Sequence, residues 1–385
     1  MRAAVIPSLL ALTSTVVAQT FSDDTINKVK SNLASAAKQS WELGTRAQAL
    51  ILVFNANSLP PPFGSSDAGN LGSVLAIASN AVSQLPEDNT ARPLDGGAGG
   101  DPPSMGIAVL LAASSGSSNA SRYQQAADNQ LNFVLNSLPR SSDGAISHRV
   151  EQVQLWSDFI YMTPPFMAYY GVVRSNKTLV QMAYDQIKLY HNTLYDKNSK
   201  TWKHMALGDS PDEKHWSTGN GWAAAGALRV LATMKNSDWS GDFKNQMKDL
   251  EHWVSDILDG MYSKLDSNSL LFHNYVDDKS TFIDAAGAAL IASATYRLSL
   301  LRDVHYHLPD AERVRKGLVA RVNSDGWLAP VVNPDSFKEE GSHSPEGQPS
   351  FFCFNPRENA ASSTMPPSRF VALLAMAVAM MLALG

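Results

Sequence analysis

The chain has 385 residues, a formal net charge of −5 and 44% hydrophobic residues, values typical of a globular enzyme. Because Lys and Arg are not in excess, binding of nucleic acid by bulk charge is excluded, and an acidic substrate would need a local cationic group. Cys353 is the only cysteine, so no intramolecular disulfide can form and the domain must depend on a large apolar core.

The N-terminus has the composition of a secretory signal peptide. Arg2 precedes an apolar run over residues 3–17, and small residues ending at Ala18 are suited to cleavage before Gln19. Residues 1–18 are therefore predicted to be removed on secretion.

The C-terminus has the pattern of a glycosylphosphatidylinositol (GPI) anchor signal. Small residues 359–361 precede a polar spacer of about ten residues and an apolar tail of about fifteen. A transmembrane helix is the alternative, but the tail is shorter than the roughly twenty residues that a span requires. The signal is assigned to residues 358–385, with Asn359 ahead of Ser362 as the attachment site. The protein is thus expected outside the cell, attached to the membrane through a lipid only.

Helical periodicity predicts an all-α domain over residues 19–357, without a linker that would divide it. Asn119 and Asn176 begin N-glycosylation sequons, so both are expected in surface loops. A break near Gly44 is an alternative to one long first helix. The predicted helices cover residues 23–54, 71–85, 104–114, 121–138, 156–173, 178–195, 221–235, 243–265, 283–302 and 311–322.

A short element recurs between the helix pairs, each copy a polar turn followed by alternating apolar residues. Three of the four copies contain a histidine, namely His148, His204 and His273. A spacing of about 55 to 70 residues predicts a closed or stacked array of helical hairpins, with these excursions gathered on one face as the site. The four excursions are residues 143–150, 199–207, 269–276 and 325–332.

Residues 215–234 join a polar, Gly-containing turn to a strongly apolar helix. Glycines in residues 219–221 can adopt backbone conformations closed to most residues, and Trp216 and Trp222 offer flat apolar faces on either side. The pattern predicts a sugar-binding rim in front of a helical wall. The Gly-rich residues 95–101 are either a loop of the site or a simple connection.

Asp158 lies among aromatic residues immediately before a helical run. That setting disfavours the ionised carboxylate and can raise its pKa to that of a general acid. The alternative is an N-cap carboxylate that accepts hydrogen bonds from helix amides. Asp284 has the same two interpretations, and His148 and His204 are structural residues unless the excursions converge.

An acidic cluster precedes Trp216, and it fits a solvated turn better than a cation site because it lacks the alternating ligands of a calcium loop. No phosphate-binding glycine loop, zinc-ligand pair or nucleophile elbow is found in the sequence, so neither a metal nor a cofactor is predicted. The cluster consists of Asp209, Asp212, Glu213 and His215.

Two stretches, WSDFIYMTPPFMAYYG from residue 156 and HWSTGNGWAAAGALRVLATM from residue 215, resemble signature stretches of the six-hairpin glycosidases. The resemblance covers roughly residues 101–301. It is to the unsaturated rhamnogalacturonyl hydrolases of glycoside hydrolase family 105 and, more distantly, the unsaturated glucuronyl hydrolases of family 88. It implies an (α/α)6 barrel with a pocket at one end and an oligosaccharide substrate. We expect a monomer.

The resemblance also implies residue roles. Asp158 matches the aspartate that protonates the C4=C5 double bond of an unsaturated terminal uronate before water adds at C5. Asp101, His148 and His204 match substrate-site positions. In the turn, Trp216, Asn220 and Trp222 correspond to the binding motif, as does position 218.

One departure concerns Thr218, which stands where the family usually has an arginine that can pair with a uronate carboxylate. Lys203 or Arg149 is the alternative source of that charge. Because of Thr218, a glycan-binding or wall-organising protein without turnover is the second hypothesis. A mannan-directed transglycosylase is the third, and its adjacent aspartates would be Asp277 and Asp278.

Overall fold

The computed structural model describes residues 22–54, 71–85, 94, 96–345 and 347–348. Within these ranges the chain is predominantly helical, and β-structure is limited to short antiparallel pairs, β1 with β4, β2 with β3, β5 with β6 and β7 with β8. The helices are α1 (Asp23–Ala36), α2 (Ser40–Phe54), α3 (Gly72–Ser83), α4 (Gly106–Ala113), α5 (Ala120–Asn136), α6 (Phe159–Met162), α7 (Pro164–Val173), α8 (Lys177–Leu194), α9 (Ser217–Asn236), α10 (Lys244–Tyr262), α11 (Ala285–Arg302) and α12 (Leu308–Val319). The strands are β1 (Leu155–Trp156), β2 (Tyr195–Asp196), β3 (Thr201–Trp202), β4 (Met205–Ala206), β5 (Phe272–His273), β6 (Ile283–Asp284), β7 (Val331–Asn333) and β8 (Ser336–Gly341).

Inner and outer helices alternate along the chain, which is the hairpin arrangement of an (α/α)6 barrel. The inner helices α9 and α11 are buried on nearly every side and pack against each other. The outer helices α8 and α10 bury one face only, against α7 and α9 respectively. A helix that is apolar all round belongs inside a protein, whereas an amphipathic one covers it. The predicted all-α (α/α)6 class is confirmed.

Two of the predicted helical runs are divided in the structure. The first helical run breaks at residues 37–39 and not near Gly44, which lies inside α2. A Cβ on Gly44 would come within 2.2 Å of the Ser104 hydroxyl oxygen, so glycine permits close packing there. The run over residues 156–173 divides at Thr163, immediately before Pro164. Proline disfavours helical backbone at the preceding residue and starts a new helix well.

The predicted turn in front of α9 is instead the first turn of that helix, which begins at Ser217. Gly219 and Gly221 are not among the glycines with positive φ. A Cβ on Gly219 would lie 2.4 Å from the hydroxyl oxygen of Ser157, and one on Gly221 would lie 2.5 Å from Leu290. These glycines therefore permit close packing of α9 against its neighbours.

A continuous apolar cluster runs through the described domain from Ala47 to Val332. Asn119 and Asn176 are exposed at the starts of α5 and α8, as expected of sequons. In the described ranges no helix combines the length and apolar character needed to cross a membrane. The predicted signal peptide, Cys353 and the anchor signal lie outside the described residues.

Candidate active site

The excursions meet at one end of the barrel, as the repeat pattern predicts. β1 pairs with β4, and beside this pair the Ser157 amide donates to the His204 carbonyl oxygen at 2.9 Å. The Gly100 amide donates to the carbonyl oxygen of His148, also at 2.9 Å. Trp216 forms a β-bridge to the third excursion. Main-chain hydrogen bonds thus bring distant parts of the chain to one site.

Asp158 stands at the N-cap position of α6, but its side chain makes no capping hydrogen bond. Its Oδ2 atom accepts from the Ser157 hydroxyl at 3.2 Å and lies 3.8 Å from Nε2 of His204. Burial raises the pKa of Asp158, and the opposing pull of His204 does not cancel that effect. The side chain is 15% exposed. Of the two interpretations, the structure favours a carboxyl available for acid chemistry.

Asp101 is the second buried carboxyl of the site. Its Oδ2 atom accepts from the Ala98 amide at 2.7 Å, and its Oδ1 atom lies 3.4 Å from Nε2 of His148. Burial raises the pKa of Asp101 to about 8; the Ala98 amide opposes this rise and the charge of Asp158 adds to it. Asp101 is therefore a protonated acid at neutral pH, able to donate a hydrogen bond.

Of the Gly-rich residues 95–101, those that the structure describes, 96–101, form a loop of the site. A Cβ on Gly97 would lie 2.4 Å from Oδ2 of Asp101, and one on Gly100 would lie 2.5 Å from Nδ1 of His148. Gly97 also has a φ of +78°, which favours glycine. The alternative of a simple connection is therefore not supported.

His204 is oriented by a carboxylate on its far side. Its Nδ1 atom lies 3.1 Å from Oδ2 of Asp212, which also accepts a hydrogen bond from the Tyr275 hydroxyl. A proton on Nδ1 that is shared with Asp212 leaves Nε2 directed toward Asp158. In the described part of the chain Nε2 has no hydrogen-bond partner. The sequence missed this role of Asp212.

His148 is buried between the carboxyl of Asp101 and an aromatic ring. It stacks on Trp156 with ring centroids 5.1 Å apart. Burial, together with a smaller effect of the charge of the neighbouring Arg149, lowers the pKa of His148 to about 3. A neutral imidazole beside a protonated carboxyl is thus the stable state at neutral pH. Convergence of the excursions brings both histidines to the candidate site.

Aromatic rings form a wall around His204. Its imidazole lies 5.3 Å from Trp156, 4.6 Å from Trp216 and 4.5 Å from Phe337, measured between ring centroids. Phe337 comes from β8 and reaches the site because the β7–β8 hairpin folds back over this end of the barrel. No local signal in the sequence marks Phe337, since it lies in a polar segment outside the signature stretches.

Three residues predicted at the sugar-binding rim are instead scaffold. Trp222 is 1% exposed and packs on Tyr161, with ring centroids 4.5 Å apart. Asn220 is buried, and its amide bonds the main chain of Trp202. Thr218 is buried as well. Because α9 begins at Ser217, these side chains turn into the core, so the substrate-binding predictions for Thr218, Asn220 and Trp222 are corrected.

Trp216 alone of the predicted rim residues contacts the site. It is 5% exposed, and its indole Nε1 donates to Oδ1 of Asn274 at 2.8 Å. Its ring lies against His204 and Phe337. Trp216 therefore belongs to the aromatic wall around His204.

Asp284 is a helix cap, which decides between its two interpretations. Its carboxylate accepts from the amides of Ala286 and Gly287 at the start of α11, and from the Val332 amide of β7. The Thr218 hydroxyl donates to the same carboxylate at 2.5 Å. Asp284 thus joins α9, α11 and the final hairpin.

The acidic cluster before Trp216 divides into different roles. Asp209 is exposed, Glu213 pairs with Lys203 at 2.9 Å, and Nδ1 of His215 lies 2.7 Å from Oδ2 of Asp277. In the described ranges, no group of three or more His, Cys, Asp or Glu side chains could hold a metal ion. Of the two aspartates of the transglycosylase hypothesis, Asp277 and Asp278, the first therefore pairs with His215.

The model for Glycosyl Hydrolase Family 88 matches residues 104–339 of the chain. Unsaturated rhamnogalacturonyl hydrolase YesR of Bacillus subtilis (strain 168) is 24% identical over 188 residues, which are 45% of this chain and 51% of YesR. The chain thus spans about half the length of this curated relative.

Solved structures share the fold over nearly the whole chain. A possible member of the GH105 family from Klebsiella pneumoniae matches with a TM-score of 0.73 and 15% identity, covering 93% of this chain and 100% of the other. Another possible member, from Salmonella enterica, matches with a TM-score of 0.70 and 16% identity, covering 88% and 93%. These likenesses show a common barrel.

Proposed function

Because the chain belongs to glycosyl hydrolase family 88, we propose that it hydrolyses an oligosaccharide that carries a terminal unsaturated uronate. The observation that carries this proposal is the Asp158 carboxyl, which caps no helix, is 15% exposed and faces His204. The activity named for YesR, unsaturated rhamnogalacturonyl hydrolysis, supports a pectin-derived substrate.

Asp158 acts first as an acid and then as a base. In its protonated form, which burial favours by raising the pKa, the carboxyl donates its proton to C4 of the C4=C5 double bond. Water adds to C5 and returns a proton to the Asp158 carboxylate. The resulting hemiketal opens as the bond between C5 and the ring oxygen breaks, and C1 then releases the second sugar. No carboxylate attacks the glycosidic carbon, so the nucleophile of usual retaining glycosidases is not needed.

The neighbours of Asp158 support this proton cycle. With protons on both ring nitrogens, His204, held by Asp212, stabilises the anionic carboxylate that exists after the first proton transfer. Asp101 retains its own proton and can donate a hydrogen bond to a substrate hydroxyl. The rings of Trp156, Trp216 and Phe337 limit access of bulk water to the carboxyls. Exclusion of water strengthens each electrostatic contact within the site.

The test is consumption of unsaturated disaccharides from pectin and from glycosaminoglycans, followed as loss of double-bond absorbance. We expect the protein to consume a pectin-derived disaccharide. Asp158→Asn should lower kcat by at least about a hundredfold, while the exposed matched control Asp209→Asn should not. Equal rates for the wild type and Asp158→Asn would overturn the catalytic role. Tight binding without consumption by the wild type would favour the glycan-binding hypothesis.

We also propose that the protein is secreted and held at the cell surface by a GPI anchor. The support is the composition of residues 1–18 and 358–385, together with the exposed sequons at Asn119 and Asn176. A phosphatidylinositol-specific phospholipase should release the protein from intact cells, and Asn359→Pro should prevent attachment. Retention of the protein on the cells after the phospholipase treatment would contradict the anchor.

A further inference from the structure

Position 218 supplies no charge to the site. Thr218 is 0% exposed and its hydroxyl donates to the Asp284 carboxylate. A cationic side chain that pairs with a substrate carboxylate must therefore come from another element.

Arg149 is a cation whose charge reaches the site. It follows His148 in the first excursion, and its guanidinium carbon lies 5.9 Å from the centroid of the Trp156 ring. Its positive charge lowers the pKa of both Asp101 and His148. The side chain is 36% exposed, so a ligand in the site can contact the guanidinium.

Two other cations lie near the excursions but are placed differently. Lys203 is paired with Glu213 at 2.9 Å. Lys338 is exposed, with its ammonium nitrogen 5.6 Å from the centroid of the Phe337 ring. The charge of Arg149 is among the largest influences on the pKa of Asp101 and of His148, whereas the charges of Lys203 and Lys338 are not. Arg149 is also the one of the three that has the planar fork suited to a carboxylate.

Arg149 already binds a carboxylate in this structure, that of Glu151. Nε of Arg149 donates to Oε1 of Glu151 at 2.8 Å, and a second guanidinium nitrogen contacts the same oxygen. The side chain of Glu151 is 55% exposed. An ion pair so exposed is weak and exchanges readily with competing ions.

We propose that Arg149 binds the carboxylate of the substrate, and that Glu151 is an internal competitor which the substrate displaces. The inference rests on the proposed function, because it names the group that recognises the uronate. It makes Arg149 a specificity-determining residue for acidic against neutral sugars. It also explains how the site can select a uronate with threonine at position 218.

The test measures binding by calorimetry in Asp158→Asn protein, so that it does not depend on turnover. The ligands are an unsaturated uronyl disaccharide and its methyl ester. Adding Arg149→Gln should raise Kd for the acid by about tenfold, the usual worth of one charge-assisted hydrogen bond. Adding Glu151→Gln should lower that Kd by up to about fivefold, the limit set by an exposed ion pair.

The methyl ester and the matched control Lys203→Gln separate recognition of charge from general damage. Neither the Arg149 nor the Glu151 substitution should alter Kd for the ester. Lys203→Gln should leave Kd unchanged for both the acid and the ester. An unchanged Kd for Arg149→Gln, an equal loss for acid and ester, or a loss confined to Lys338→Gln would overturn the proposal. Consumption of the disaccharide by protein that retains Asp158 reports separately on the proposed function.

Discussion

Nε2 of His204 lies 3.8 Å from Oδ2 of Asp158. The opposite ring nitrogen lies 3.1 Å from Asp212, whose carboxylate is also held by the Tyr275 hydroxyl. The Asp212 carboxylate, the His204 imidazole and the buried Asp158 carboxyl thus stand in a row. The Asp212 carboxylate decides which ring nitrogen of His204 faces Asp158.

Replacement of Asp212 should therefore impair the chemical step. Asp212→Asn removes the charge that favours a proton on Nδ1 of His204, and we expect kcat to fall by at least about tenfold with little change in KM. The pH dependence of kcat should move as well, because the Asp158 carboxylate loses part of its stabilisation. Steady-state kinetics between pH 5 and 9 would check this. A purely structural role would lower stability while leaving the pH profile of kcat in place.

Asp158 and Asp284 should differ sharply in their effect on stability. Asp284→Asn weakens a buried carboxylate that accepts from Thr218 and three main-chain amides, and should cost about 2 to 3 kcal/mol of unfolding free energy. Asp158→Asn removes no capping bond and should stay within about 0.5 kcal/mol of wild type. Urea unfolding measures both. Equal losses would restore the capping interpretation of Asp158.

The buried pair of Asp101 and His148 predicts how stability depends on pH. The folded pKa of Asp101, about 8, lies above the usual aspartate pKa of 3.8, so its stabilising contribution is lost as pH rises toward 8. The folded pKa of His148, about 3, lies below the usual histidine pKa of 6.5, so its contribution is lost as pH falls from 6.5 toward 3. Between about pH 4 and 6.5 the two slopes oppose each other.

Of these two groups, only Asp101 still contributes a slope from pH 6.5 to 8, and that slope should lower the unfolding free energy by about 2 kcal/mol. Asp101→Asn should remove this fall, whereas Asp209→Asn should keep it. Urea unfolding at the two pH values measures the difference. A fall in Asp101→Asn as steep as in wild type would assign the effect to other groups.

Thr218 should behave as a scaffold residue. Thr218→Val keeps the shape of the side chain but removes the hydroxyl that donates to Asp284, and should cost about 1 to 3 kcal/mol of stability. Because the residue is fully buried, kcat and KM should remain near wild type. Thermal unfolding and steady-state kinetics on the same preparation give both values. A rise in KM without loss of stability would restore the prediction that Thr218 binds the substrate.

Phe337 should contribute to substrate binding from outside the signature stretches. Phe337→Leu keeps apolar bulk but removes the ring that contacts His204, Trp156 and Trp216. We expect KM to rise by up to about tenfold, the range of an aromatic contact. Phe337→Tyr should restore most of the affinity. Unchanged KM in the leucine variant would limit Phe337 to packing of the hairpin.

The sequence by itself determined the fold class and predicted Asp158 as a candidate acid. Apolar helical runs separated by similar excursions can be buried only if the hairpins stack. The repeated pattern that requires this stacking is visible in short segments such as residues 143–150 or 199–207. The same holds for Asp158, since its aromatic neighbours are adjacent in sequence and already imply a desolvated carboxyl. The signal for Asp101 was weaker and came through resemblance.

Only the tertiary structure decided which side chains face the site. Successive residues of a helix point about 100° apart, so the start of α9 at Ser217 turned Thr218, Asn220 and Trp222 into the core. Phe337 and Asp212 reach His204 through contacts between segments far apart or in irregular loops, which no periodicity records. Burial and orientation depend on neighbours that the chain supplies from elsewhere, and those neighbours exist only once the barrel has closed.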